Sequence, residues 1–123
     1  WCRKDGYVIG VAVAAGDFIA YYPIRHEGGG NIPPKKVFTW LKKQMETPHI
    51  EKVFHNSMYD LGWLRAEGIE VQGKIIDTMI AAPLLNENRR YYNLNSLAGE
   101  YLGEWKNENR YCLKRLRLAL WPA

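Results

Sequence analysis

Val53-Phe54-His55-Asn56-Ser57-Met58-Tyr59-Asp60-Leu61-Gly62 is the stretch on which the reading of this chain turns. A short apolar strand ends at Phe54. An amide and a carboxylate then follow four positions apart, where the strand gives way to a helix. In a helix that spacing sets two side chains on one face, and in an α/β layout the carboxyl end of a strand is where a crevice opens. The expectation is that Asn56 and Asp60 face one site together. A single carboxylate is too few for metal chemistry, so such a site needs further acids.

Outward from this stretch the elements follow from periodicity and punctuation. Tyr7-Val8-Ile9-Gly10-Val11-Ala12-Val13-Ala14 reads as a buried strand, Ala15-Gly16-Asp17 as a tight turn, and Phe18-Ile19-Ala20-Tyr21-Tyr22-Pro23-Ile24 as the hairpin partner. The loop His26-Glu27-Gly28-Gly29-Gly30-Asn31, read as mobile, and Pro33-Pro34 lead into a helix over about 34–46. Val37, Leu41 and Met45 form its apolar stripe, and Thr47-Pro48 stops it. The next strand covers 52–55. A helix carrying Met58, Leu61, Leu64 and Arg65 follows and ends at Gly68; a short strand near 74–76 then leads to a helix over 78–85. Leu94, Leu97, Ala98, Tyr101 and Leu102 mark a last amphipathic helix closed by Gly103.

Composition bounds the class. The 123 residues suit one domain with a single core, and a 47% hydrophobic content is ordinary for a globular protein. No apolar run approaches membrane-spanning length, and Trp1-Cys2-Arg3-Lys4-Asp5 lacks the apolar stretch of a signal peptide. A cytoplasmic location, with no membrane partner, is the expectation. Cys2 and Cys112 have no metal-ligand neighbours at useful spacing and read as incidental reduced thiols.

The net charge of +4 does not mark a basic binding face. Residues 1–104 hold twelve Lys/Arg and twelve Asp/Glu, whereas residues 105–123 hold Lys106, Arg110, Lys114, Arg115 and Arg117 against Glu108. The whole excess lies in the tail. Phosphate affinity in the core would come from local clusters and metal ions rather than from a global field.

The series Asn56-x-x-Tyr59-Asp60, Leu61-Gly62-Trp63-Leu64, Ile76-Asp77-Thr78-Met79-Ile80-Ala81, Leu94-Asn95-Ser96-Leu97-Ala98 and Tyr101-Leu102-Gly103 resembles the DnaQ-like 3'-5' exonucleases. The resemblance covers most of residues 7–104, and it is closest to the proofreading domain of phage and bacterial family A DNA polymerases. It implies an α/β, RNase H-like fold: a mixed sheet of five strands in the order 3-2-1-4-5, flanked by helices. It implies hydrolysis of DNA phosphodiesters from a single-stranded 3' end with Mg²⁺ or Mn²⁺. Two such ions clamp the attacking and leaving oxygens of an in-line displacement, and hard ions of this kind prefer carboxylate oxygens. By resemblance Asp60 is a catalytic metal ligand, Asn56 contacts the terminal nucleotide, Tyr59 lines the site and His55 stands with them on the substrate side. A polymerase domain in the same parent chain is the implied partner.

Such exonucleases assemble four carboxylates, from Asp-x-Glu on the first strand, the second motif, and a late Tyr-x-x-x-Asp. Only the second motif occurs here. The expectation is an incomplete domain over 1–104, cut at both ends, with its central first strand missing and a basic tail over 105–123. The flanking strands 7–14 and 53–55 would then pair directly or leave a groove of unpaired backbone. The tail reads as a basic amphipathic helix or as sequence unrelated to the domain. The functional alternative is a catalytically inactive nucleic-acid-binding or interaction module that keeps a remnant of the fold.

Plainer readings stand beside each of these. Asp60 is also a natural first-turn helix acid, and Asn56 or Ser57 a natural cap for the same helix. His55 also reads as a simple strand-end residue. Asp77, before Thr78, reads as an N-cap. Arg89-Arg90-Tyr91-Tyr92 has the mixture that holds single-stranded DNA by phosphate contact and stacking, and equally that of a solvated loop with buried tyrosines.

Overall fold

The computed structural model describes residues 6–103 and, as backbone, 120–122. Cys2, Cys112 and the tail over 105–119 lie outside the described residues. Strand β1 (Val8–Ala15) is covered on both faces from Gly10 to Val13, as its run without a polar side chain requires. It pairs antiparallel with β2 (Phe18–Pro23) in the register Val11 to Tyr22 and Ala15 to Phe18. Only Gly16 and Asp17 remain for the turn, and Gly16 takes φ 58°, a conformation free of Cβ strain only in glycine.

Helix α1 (Pro34–Met45) starts with a proline in its first turn, where no amide donor is required. Val37 and Leu41 are buried on its inner face and Met45 is half-buried behind them. Strand β3 (Lys52–Phe54), helix α2 (Ser57–Ala66) and strand β4 (Ile75–Asp77) form a strand-helix-strand unit. The two strands are parallel, with Lys52 opposite Ile75 and Phe54 opposite Asp77. Helix α3 (Thr78–Leu85) follows directly from β4, and α4 (Leu94–Leu102) ends on Gly103 at φ 65°.

The observed strands form two sheets rather than one. The first has the order β2-β1-β5, where β5 is Leu120–Pro122, and the second contains β3 and β4. This corrects two expectations. The hairpin neither pairs with β3 nor leaves the whole outer edge of β1 bare, because Leu120 lies opposite Val11 and Pro122 opposite Val8. The tail at 120–122 is extended and paired, not helical. A bare row of β1 amides and carbonyls has a strong need for partners, and β5 meets it between Val8 and Val11; proline is tolerated at such an edge.

One core joins the two sheets. Val8, Val11, Val13 and Ile24 from the hairpin pack with Val37 and Leu41 of α1, Phe54 of β3, Trp63 and Leu64 of α2, and Ile69. Arg25 staples its rim: Nη1 donates to Glu67 Oε1 at 2.7 Å and to the Val8 carbonyl at 3.0 Å. Lys52 is buried, and its Nζ donates to the carbonyls of Thr47 (2.5 Å) and Gln72 (2.6 Å). Burial holds its pKa below the usual lysine value. The ammonium ties the loop before β3 to the loop before β4, at the start of the parallel pair.

Candidate functional site

Parallel strands emit their next elements from the same end, so α2 and α3 begin side by side. The Asp77 carboxylate sits between them. Its Oδ1 accepts from the Asn56 amide at 3.0 Å and the Met79 amide at 2.9 Å, and its Oδ2 accepts from the Ser57 amide at 2.7 Å. One side chain therefore caps both helices. The N-cap reading of Asp77 holds for α3; its reach across to α2 is a tertiary effect that its sequence neighbours do not signal. Burial raises the Asp77 pKa, but the Ser57 amide and hydroxyl together with the Asn56 and Met79 amides outweigh it and hold the carboxyl below its usual range.

This double cap explains the junction at Asn56. Neither Asn56 nor Ser57 caps α2 with its own side chain. Asn56 instead takes the left-handed conformation, φ 67° and ψ 59°, among the described residues the one non-glycine with positive φ. Asparagine tolerates that region better than most residues, and the turn aims two successive amides at Asp77. The reading of Asn56 and Asp60 as partners on one helical face is corrected accordingly. Asn56 lies outside α2 and is exposed, while Asp60 sits within the first turn and is only 5% exposed.

Tyr59 is half-buried, its ring edge-on to Trp63 with centroids 6.3 Å apart. His55 Nδ1 lies 2.9 Å from Thr78 Oγ1, whose hydroxyl proton goes to the Phe54 carbonyl at 3.1 Å. Having given its single proton to Phe54, Thr78 can only accept from His55. In this arrangement His55 donates from Nδ1. All four candidates, His55, Asn56, Tyr59 and Asp60, thus stand on one strand-to-helix junction at the carboxyl end of the β3–β4 pair. Among the described residues no three His, Cys, Asp or Glu side chains gather closely enough to hold a metal ion.

Two other features read from sequence behave differently. His26 is held within its loop: its Nε2 is 2.5 Å from Tyr21 Oη, and its amide and carbonyl bond the Asn31 side chain at 2.7 Å each. Arg89 pairs with Glu100 and lies over the Tyr101 ring, while the Tyr92 hydroxyl donates to the Asn86 carbonyl. This part of the Arg89–Tyr92 run ties the α3–α4 loop to α4. Arg90 over Tyr91 remains at the surface. Among the described residues no helix is long and apolar enough to cross a membrane.

A family profile described as 3'-5' exonuclease, of the family A DNA polymerase type, matches residues 3–118. The chain is 35% identical over 109 residues to a DNA-directed DNA polymerase of Pseudomonas phage M6, covering 86% of this chain and 16% of that protein. It is 34% identical over 83 residues to DNA polymerase I of Chloroflexus aurantiacus, covering 67% of this chain and 9% of the relative. A DNA polymerase DpoZ of Acinetobacter phage SH-Ab 15497 is 30% identical over 113 residues, with 90% and 17% covered. The chain spans about a sixth or less of the length of these relatives.

Proposed function

The chain belongs to the 3'-5' exonuclease domain family of DNA polymerases, and from that premise we propose that it removes 3'-terminal nucleotides from single-stranded DNA as the proofreading part of a longer polymerase. The domain is taken to run past residue 104, since the family match covers residues 3–118 and Leu120–Pro122 pairs with β1. The observation that carries this reading is the buried Asp60 carboxylate in the first turn of α2, at the mouth of the parallel strand pair. Carboxylate oxygens are the ligands a hard divalent cation prefers.

The family is generally dependent on divalent metal. The described residues do not assemble a two-ion site by themselves; Asp60 is assigned as one ligand, with the other acids supplied beyond the described residues. A bound Mg²⁺ or Mn²⁺ pair would supply charge neutralisation and an activated water. The chain's own residues position the substrate. Asn56 offers an exposed amide with both donor and acceptor capacity, Tyr59 offers a ring face, and His55 is oriented by Thr78.

The test uses the complete parent polymerase and a 3'-labelled single strand. Asp60→Ala is expected to lower exonuclease turnover by about 10²–10³ or more, the size of losing one electrostatic stabiliser of a transition state, with polymerase activity retained. Near-normal 3' degradation by that variant would exclude Asp60 as a ligand. Residues 1–123 alone are expected to show negligible metal-dependent cleavage. That second expectation also suits an inactive binding module; only the parent polymerase separates the two.

A further inference from the structure

Helix α1 carries Lys35, Lys36, Lys42 and Lys43 and no acid between Pro34 and Met45. Lys42 is engaged, with Glu46 at 3.7 Å and the Gly68 carbonyl at 3.1 Å. Elsewhere on the described surface the cations have partners. Arg25 pairs with Glu67, Arg65 with Glu70, Lys74 with Glu51 and Arg89 with Glu100; Lys52 bonds carbonyls, and Arg90 lies over Tyr91. Among the described residues the lysines whose ammonium groups have no ion pair or hydrogen bond are Lys35, Lys36 and Lys43, and all three line the groove beside one exposed indole.

The helical spacing builds a surface from them. Lys36, Trp40 and Lys43 fall at i, i+4 and i+7, and Lys35, Thr39 and Lys43 at i, i+4 and i+8, so they form two adjoining rows. Val37 and Leu41 anchor the opposite face in the core. With Pro33 these side chains line a shallow groove. Trp40 is 38% exposed, and its inner side rests on Tyr22 with ring centroids 5.4 Å apart. The indole is thus held from below and open from above.

We propose that this face of α1 is a binding track for single-stranded nucleic acid, separate from the Asp60 junction. Lys35, Lys36 and Lys43 contact successive phosphates, and one unstacked base lies on Trp40. Unpaired cations suit a polyanion, and a supported aromatic face between them suits a base. A duplex, whose bases are stacked on one another, cannot use Trp40.

The test is fluorescence anisotropy of a labelled oligodeoxythymidine with the 123-residue chain in EDTA, so that binding is read without cleavage and independently of the metal-site assignment. The triple variant Lys35→Gln/Lys36→Gln/Lys43→Gln should bind more weakly and reduce the slope of log K against log salt by about 2, from roughly 0.7 per single-strand phosphate contact. The tail contributes equally to parent and variant, so the difference isolates α1. Trp40→Ala should lose about five-fold or more in affinity, the low end for one stacked base. Trp40→Phe, which keeps a ring against Tyr22, should lie between. The control Arg65→Gln/Lys74→Gln, at two ion-paired sites, should match the parent. An unchanged salt slope in the triple variant would overturn the proposal, as would equal competition by polyglutamate or equal, Trp40-independent binding of a duplex.

Discussion

Replacing Asp77 by alanine removes one carboxylate and strands three amides, those of Asn56, Ser57 and Met79. Loss of an N-cap costs about 0.5–2 kcal/mol, and that accounts for α3. The two amides of the α2 junction lose bonds to a charged acceptor, each worth about 1.5–3 kcal/mol when dry. The site is half-buried, so water recovers part of this; a total near 2–4 kcal/mol is expected at pH 7. The pH dependence has a definite sign. The folded-state pKa is depressed below the ordinary 3.8, so the contribution is fully present above that value and is lost as pH falls through the lower, folded value. Urea unfolding of parent and Asp77→Ala, followed by far-UV circular dichroism at neutral pH and again below pH 3, measures both effects. The gap between the two proteins should close in acid. A gap under about 0.5 kcal/mol at pH 7, or one that persists unchanged in acid, would refute the double-cap argument.

Leu41, fully buried at the centre of the core, should lose about 2–5 kcal/mol on replacement by alanine, read as a lower urea midpoint with the same slope. Gly73 has φ 84°, and a Cβ there would meet the Pro48 backbone. Gly73→Ala should therefore cost at least the ~1–3 kcal/mol of a strained backbone. In contrast, Gly28→Ala, with open space around it and no positive φ, should change thermal stability little.

The regular elements were legible because each is specified locally. The Gly16-Asp17 turn, the Val37–Leu41 stripe, the Asp77 and Gly103 caps and the Thr47-Pro48 stop all act within a few residues of themselves. What escaped was tertiary. Nothing near Asn56 signals that its backbone turns left-handed to serve a carboxylate 21 positions away. Helical spacing placed Asn56 beside Asp60 because it assumed that the helix already existed at residue 56. The split into two sheets, and the pairing of Leu120–Pro122 with β1, depend on which edges meet in space, and the alternation within one strand carries no information about its neighbour. The Lys35, Lys36 and Lys43 cluster was hidden by a different route: counting charge over 1–104 returns zero, and only the pairing of the other cations reveals the residue.

The strand at Leu120–Pro122 also sets a timetable for folding. The β1–β2 hairpin closes around two residues, and the β3–β4 ladder closes around a helix of local sequence. The ladder from Val8 to Pro122 must close a loop almost as long as the chain. By polymer statistics that closure costs roughly 1.5 kcal/mol more entropy than the β3–β4 closure, and non-local pairings of this kind form slowly. On a growing chain the β1–β5 pairing waits until position 120 has been made. Until then β5 cannot cover the Val8–Val11 stretch of this apolar strand, and an uncovered strand edge is where a foreign strand can add.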